Sequence, residues 1–134
     1  MPFAHFKAYL NKMRYSGKGM PVVYVLATDW KLRAAVRAEL RERGIDALGM
    51  ESADDAGRAL ARGEVPAAVV LEATAEFARD EAIRKLLERV PTVVVASRVE
   101  TVPLAKVSAL LYKPVRIGEI VEKVSEILAR GEDA

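Results

Sequence analysis

The sequence lacks cysteine and contains a single histidine, His5, and these two absences exclude several kinds of site. Without cysteine there are no disulfides, thiol nucleophiles or cysteine-ligated metals. A single histidine provides too few ligands for a histidine-based zinc site, and the sequence offers no residue that would form a catalytic triad with it. We therefore expect a protein that is not an enzyme and that binds no cofactor.

Side-chain amides and long apolar runs are scarce as well. Asn11 is the only asparagine and glutamine is absent, a usage typical of thermophilic proteins. No apolar run approaches the roughly 20 residues that cross a bilayer, and the N-terminus lacks the apolar core of a signal peptide. At 134 residues, 51% of them hydrophobic, the chain can bury one sizeable core. These features predict one cytoplasmic domain without a membrane span.

Positive charge is concentrated at the N-terminus. Residues 1–20 carry four basic side chains and no acidic one, whereas the whole chain has a net charge of only +2. Residues 21–134 therefore have a net charge of −2, which argues against a nucleic-acid-binding body. The basic side chains are Lys7, Lys12, Arg14 and Lys18. We divide the chain into a basic arm, residues 1–20, and a domain, residues 21–134.

The arm has an apolar stripe. Phe3, Phe6, Leu10 and Met13 recur at i, i+3, i+7 and i+10, a spacing that predicts an amphipathic helix. The glycine-containing segment 16–19 that follows is typical of a flexible linker. Three interpretations of the helix remain open: it docks on the domain, it mediates dimerisation or partner binding, or it binds nucleic acid or an anionic membrane surface.

Short β-branched runs in the domain predict strands of a parallel sheet, since such strands are buried on both faces. Three runs are clear and two are weaker. The clear runs are Val22–Leu26, 67–71 and Thr92–Ala96, and the weaker runs are 45–50 and Ala109–Tyr112.

Helical patterns with caps lie between these runs. Thr28 or Asp29 begins the first helix and Gly44 ends it, Ser52 begins the second, and two further apolar stripes cover 83–90 and 117–128. Alternating strands and helices predict right-handed crossovers and helices on both faces of an open sheet.

In such a sheet, a functional crevice lies at the carboxyl ends of the strands, near a topological switch point. The residues that the pattern places there are Thr28, Asp29, Glu72, Ala73, Ala96, Ser97 and Lys113.

Three segments, 66–72, 91–97 and 112–115, resemble the receiver domains of response regulators in two-component signalling, the CheY-like superfamily. The resemblance spans about residues 21 to 130. It implies a flavodoxin-like, three-layer α/β fold with a five-stranded parallel sheet of order 2-1-3-4-5. Short connections and Pro103, which interrupts any helix there, predict that the fourth helix is shortened or missing.

The resemblance also assigns roles to the crevice residues. Glu72 takes the place of the phosphoacceptor aspartate, Ala27 and Thr28 take the place of the acidic pair that holds Mg²⁺, and Lys113 matches the family's lysine. Ala96 and Ser97 both remain candidates for the hydroxyl position. Because Mg²⁺ requires clustered oxygen ligands, the loss of the acidic pair predicts no metal site. Asp29 is the one weak metal candidate, and an N-cap explains it better.

We therefore expect a degenerate receiver that acts as a signalling or scaffold module, in which a Glu72–Lys113 salt bridge replaces phosphorylation. Its expected partner is another protein or a second copy of the chain, and an anionic partner is an alternative for the arm. The competing functions are a phosphorylatable response regulator, an enzyme using Asp29 and Glu72 on a metal, and a regulator whose arm binds nucleic acid. Trp30, beside the crevice, is expected to be half-buried.

Overall fold

The computed structural model describes residues 21–97 and 107–131, in which five strands alternate with helices. The elements are β1 (Val22–Leu26), α1 (Trp30–Glu42), β2 (Asp46–Met50), α2 (Ala53–Ala61), β3 (Ala68–Glu72), α3 (Ala75–Arg79), α4 (Glu81–Arg89), β4 (Thr92–Ala96), β5 (Ala109–Tyr112) and α5 (Ile117–Gly131). The predictions for the basic arm, and the prediction that the helix between β4 and β5 is shortened or missing, fall largely outside the described residues.

The five strands form one parallel sheet of order β2-β1-β3-β4-β5, which confirms the predicted fold class and strand order. Valine-rich pairs fix the register, with Val25 beside Val70 and Val70 beside Val93. The chain passes from β1 to β2 on one side and then returns to β3 on the other. The connections that follow β1 and β3 therefore diverge, and this divergence opens a crevice at the carboxyl edge of the sheet.

Two apolar cores lie on opposite faces of the sheet. On one face, α2, α3 and α4 cover a core that includes Tyr24 and Phe77. On the other face, α1 and α5 cover a core that includes Leu40 and Ile120. Because β1, β3 and β4 contribute alternate residues to both cores, their side chains are buried throughout, as the continuous apolar runs predict.

Helix ends follow the capping residues in the sequence. Asp29, rather than Thr28, caps α1: its Oδ1 accepts hydrogen bonds from the backbone N–H groups of Lys31 and Leu32, at 2.9 and 3.3 Å. After the same helix, Gly44 has a φ of 77°, a left-handed conformation that favours glycine.

The connection between β3 and β4 differs from the prediction. The sequence predicts one helix that includes Val90, but the structure has two helices, and Val90 follows α4 in an extended conformation. Thr74 caps α3 and Asp80 caps α4, so two capping side chains divide the segment. The extra helix α3 buries Phe77 in the core.

No helix within the described ranges is long and apolar enough to span a membrane.

Candidate functional site

Three loops meet at the carboxyl edge of the sheet and bring together residues that are distant in sequence. The loop after β1 supplies Thr28 and Asp29, the end of β3 supplies Glu72, and the residue after β5 is Lys113. The backbone N–H of Lys113 donates to the carbonyl of Ala96 at 2.8 Å, which extends the pairing of β4 and β5 by one residue. The lysine side chain therefore begins at the same edge of the sheet as Glu72 and reaches it across the end of β4.

The Glu72 carboxylate lies at the centre of this site and uses both of its oxygens. Oε1 accepts hydrogen bonds from the Thr28 backbone N–H at 2.8 Å, the Thr28 hydroxyl at 2.9 Å and the Asp29 backbone N–H at 3.2 Å. Oε2 accepts a hydrogen bond from Lys113 Nζ at 2.7 Å, and the ammonium and the carboxylate form an ion pair. The salt bridge that the sequence predicts is thus present in the structure.

The two partners of this ion pair differ in their contact with solvent. The Glu72 side chain is 7% exposed, whereas the Lys113 side chain is 41% exposed. Burial alone raises the pKa of Glu72. The hydrogen bonds from Lys113, the Asp29 backbone, and the hydroxyl and backbone of Thr28 outweigh burial, so the net pKa is lowered from its ordinary value of 4.5. Glu72 is therefore a permanent negative charge at neutral pH.

The N-terminal end of α1 faces this charge. The N–H groups of Thr28 and Asp29 immediately precede the helix, and both point at Glu72 Oε1. Free N–H groups and the helix dipole make such an end favourable for an anion. In this structure, the chain's own carboxylate occupies that position.

Ala27 offers no ligand where the receiver resemblance places half of an acidic pair. Its side chain is buried and apolar, and its carbonyl accepts a hydrogen bond from Arg33 Nη1 at 2.6 Å. Arg33 also lies 3.7 Å from the carboxylate of Glu51. A fixed guanidinium therefore lies beside the end of β1. Arg33 was not among the residues predicted for this site. Its place in the first turn of α1, shortly after β1, was the signal that could have identified it.

The residues at the end of β4 contribute less to the site. Ala96 is buried and has no polar side chain, and Ser97 is half-buried. No hydrogen bond joins Ser97 to Glu72 in the described part of the chain. Which of the two residues occupies the hydroxyl position stays a prediction.

The donor set does not fit the Mg²⁺ ion that receivers bind. No cluster of three acidic or histidine side chains suitable for a metal exists among residues 21–97 and 107–131. Asp29 Oδ1 caps α1, and both Glu72 oxygens accept hydrogen bonds already. The Lys113 ammonium, 2.7 Å from Oε2, would repel a divalent cation. The site is therefore organised around an ion pair between two side chains.

Trp30 lies at the edge of this site, and the expectation that it is half-buried is wrong. Its side chain belongs to the first residue of α1, directly after the Asp29 cap, and 64% of the residue is exposed. Lys31 Nζ lies 5.9 Å from the centre of the indole, within the range of a cation–π contact. Leu32, Val36 and Leu40 pack this helix against the core, whereas Trp30, two residues before Leu32, stays exposed.

No protein-family model matches the sequence, and no curated protein matches it. Many solved structures resemble the fold. A response regulator receiver protein from Burkholderia phymatum is 23% identical with a TM-score of 0.68, and the alignment covers 81% of this chain and 95% of that one. A response regulator from Thermotoga maritima is 20% identical with a TM-score of 0.66, covering 82% and 98%.

A receiver domain from Clostridium thermocellum has the same TM-score as the Burkholderia protein, 0.68, at only 12% identity, and the alignment covers 83% of this chain and 96% of that one. The likeness thus includes nearly the whole of each neighbour and persists where little sequence is shared. Together with the parallel sheet of order β2-β1-β3-β4-β5, it shows that this chain has the CheY-like fold of response-regulator receiver domains.

Proposed function

We propose that the chain is a signalling or scaffold module that binds a protein partner without phosphorylation at position 72. The observation that carries this proposal is the state of the Glu72 carboxylate. It is buried, ionised, and saturated by three donors on one oxygen and by Lys113 on the other.

The arrangement does not favour acyl-phosphate formation. Transfer of a phosphoryl group to Glu72 requires an accessible oxygen in line with the donor and a cation that neutralises the phosphoryl charge. Oε1 is enclosed by the Thr28–Asp29 loop, and Oε2 is paired with Lys113. In addition, Ala27 and Thr28 provide no carboxylate for the metal.

The same contacts support a fixed surface in place of a switch. Glu72 joins the loop after β1 to the residue after β5, so the ends of three strands are held in one arrangement. The loop after β1 also positions the start of α1 and the exposed Trp30. Tryptophan is enriched among the residues that dominate protein interfaces, which makes this edge a suitable recognition surface.

Addition of Mg²⁺ with acetyl phosphate or beryllofluoride tests the proposal. We expect the amide resonances of Thr28, Asp29 and Glu72 to stay unchanged in NMR spectra. Trp30 is the only tryptophan and lies beside the site, so its fluorescence provides an independent measurement that should stay constant during a Mg²⁺ titration. Saturable shifts centred on Glu72 would instead establish a phosphorylatable or metal-binding site.

Partner binding is tested by pull-down with wild-type protein, Trp30→Ala and Glu72→Gln. The proposal expects a partner that wild-type protein retains and that both variants lose, since one variant removes the surface and the other releases the loop that holds it. Leu110→Ala on β5, distant in the sheet order from α1, serves as the control variant and should retain the partner. Loss of binding only when residues 1–19 are deleted would favour a function of the arm.

A further inference from the structure

We propose that the basic arm, residues 1–20, docks on its own domain in an apolar groove between α2 and α4. The groove has a volume of about 300 Å³ and opens at the amino-terminal edge of the sheet, opposite the Glu72 site. Its apolar walls are formed by Leu60, Val65, Ala82 and Leu86. This surface is separate from the site described above, and the inference does not depend on the proposed function.

The position where the arm joins the domain argues for this occupant. Val23 pairs with Ala68, and the N–H of Ala67 donates to the carbonyl of Val22 at 2.8 Å. When this register is continued by two residues, Pro21 lies beside Pro66, the residue that follows Val65. Neighbouring strands in a sheet are roughly 4.8 Å apart, so the arm leaves the domain beside the residue that follows Val65, which forms part of the groove wall.

The length and pattern of the arm match this geometry. Its apolar stripe covers residues 3–13, about 15 Å as a helix. The seven residues 14–20 span up to roughly 23 Å when extended, and the glycines in 16–19 permit the chain to reverse direction. A tethered segment has an effective concentration in the millimolar range, so even a modest affinity for the groove suffices.

The charged side chains around the groove do not determine which segment binds there. The rim carries Glu64 together with Lys85 and Arg89, so it neither strongly attracts nor strongly repels the basic arm. Burial of Phe3 and Phe6 against the walls is therefore the driving force. The basic side chains, which lie beside the apolar stripe in the helical pattern, stay in solvent.

Paramagnetic relaxation in the full-length protein tests the docking. The chain has no cysteine, so Lys85→Cys gives a single site for a nitroxide label on the rim of the groove. The amide signals of residues 3–13 should lose intensity. Ala38→Cys, exposed on α1 across the sheet, is the control, and its label should leave those signals intact. Equal intensities with the two labels would overturn the proposal.

Two further samples make the result specific. In the Lys85→Cys background, Ala82→Glu places a charge in the groove wall and should restore the arm signals, whereas the matched Ala38→Glu should not. Glutamate in the first turn of α4 suits the helix dipole, so the fold is retained. Broadening in a mixture of labelled and isotope-enriched molecules would show that the arm occupies a second copy, which contradicts docking on its own domain.

Discussion

Replacement of Glu72 by glutamine tests the central feature of the site, because it removes the charge and keeps the shape. The glutamine oxygen can still accept hydrogen bonds from Thr28 and Asp29. Its amide nitrogen would then face Lys113 Nζ at the position of Oε2, so two donors would oppose one another where the ion pair was. The variant should therefore lose the ion pair while retaining most of the loop contacts.

The expected magnitude follows from burial. Breaking a fully buried ion pair costs about 3–5 kcal/mol, and exposed pairs contribute about 0–1 kcal/mol. Since Glu72 is 7% exposed and Lys113 is 41% exposed, this pair lies between the two limits. We expect Glu72→Gln to lower the free energy of unfolding by about 2 kcal/mol, which corresponds to a fall in Tm of roughly 6–12 °C.

Urea unfolding followed by circular dichroism measures this change, and a double-mutant cycle isolates the pair. Lys113→Met removes the ammonium and keeps the length of the side chain, leaving Glu72 with its donors from Thr28 and Asp29. The two single changes should be non-additive in the double variant, with a coupling energy of about 1 kcal/mol. If Glu72→Gln changes stability by less than about 0.5 kcal/mol, or if the two effects simply add, the ion pair does not stabilise the site.

Three further predictions concern the charge of Glu72, the cap of α1 and two glycines. The pKa of Glu72 is lower in the folded than in the unfolded chain, so the stability that its charge contributes is complete above about pH 4.5 and is lost as the pH falls through the folded pKa. The difference in unfolding free energy between wild type and Glu72→Gln should therefore shrink in acid. A constant difference from pH 7 to pH 3 would contradict this. Asp29→Ala should cost about 1 kcal/mol through loss of the α1 cap, while Asp29→Asn retains an acceptor and should cost less; equal losses in urea unfolding would argue against capping. Gly44→Ala should destabilise by about 1 kcal/mol because φ is 77°, whereas Gly57→Ala, within α2 and with open space around it, should stabilise by about 0.5–1 kcal/mol; thermal unfolding compares the two, and the reasoning fails if both changes have the same sign.

Much of the fold was predictable because the strands have a strong local signal. Strands buried on both faces need continuous apolar, β-branched residues, and Val22–Leu26 and Thr92–Ala96 have the predicted bounds in the structure. The edge strand Ala109–Tyr112 was also predicted correctly. The extra helix α3 was missed, because its five residues are too few to show a helical period.

The sequence predicted which residues meet at this edge of the sheet, but not their contacts. Thr28 and Asp29 follow β1, Glu72 ends β3, and Lys113 follows β5, so the rule that functional residues lie at carboxyl ends of strands identified them. That rule gives no side-chain direction. The expectation that Trp30 is half-buried, which came from its place at the start of the helix, was wrong: α1 packs on the core through Leu32, Val36 and Leu40, and Trp30 stays exposed.

The sequence by itself determined the alternation of strands and helices and the charge of Glu72 and Lys113, because these depend on local period and residue type, and its resemblance to receiver domains implied that Ala27 and Thr28 stand where that family has an acidic pair. Only the tertiary structure decided that Thr28 and Asp29 donate to Glu72 Oε1 while Lys113 takes Oε2. These partners are 44, 43 and 41 residues from Glu72, and they meet because the parallel sheet brings the ends of its strands to one edge. Which oxygen each donor reaches depends on the conformations of the loop after β1 and of the residue after β5, which the sequence pattern does not specify.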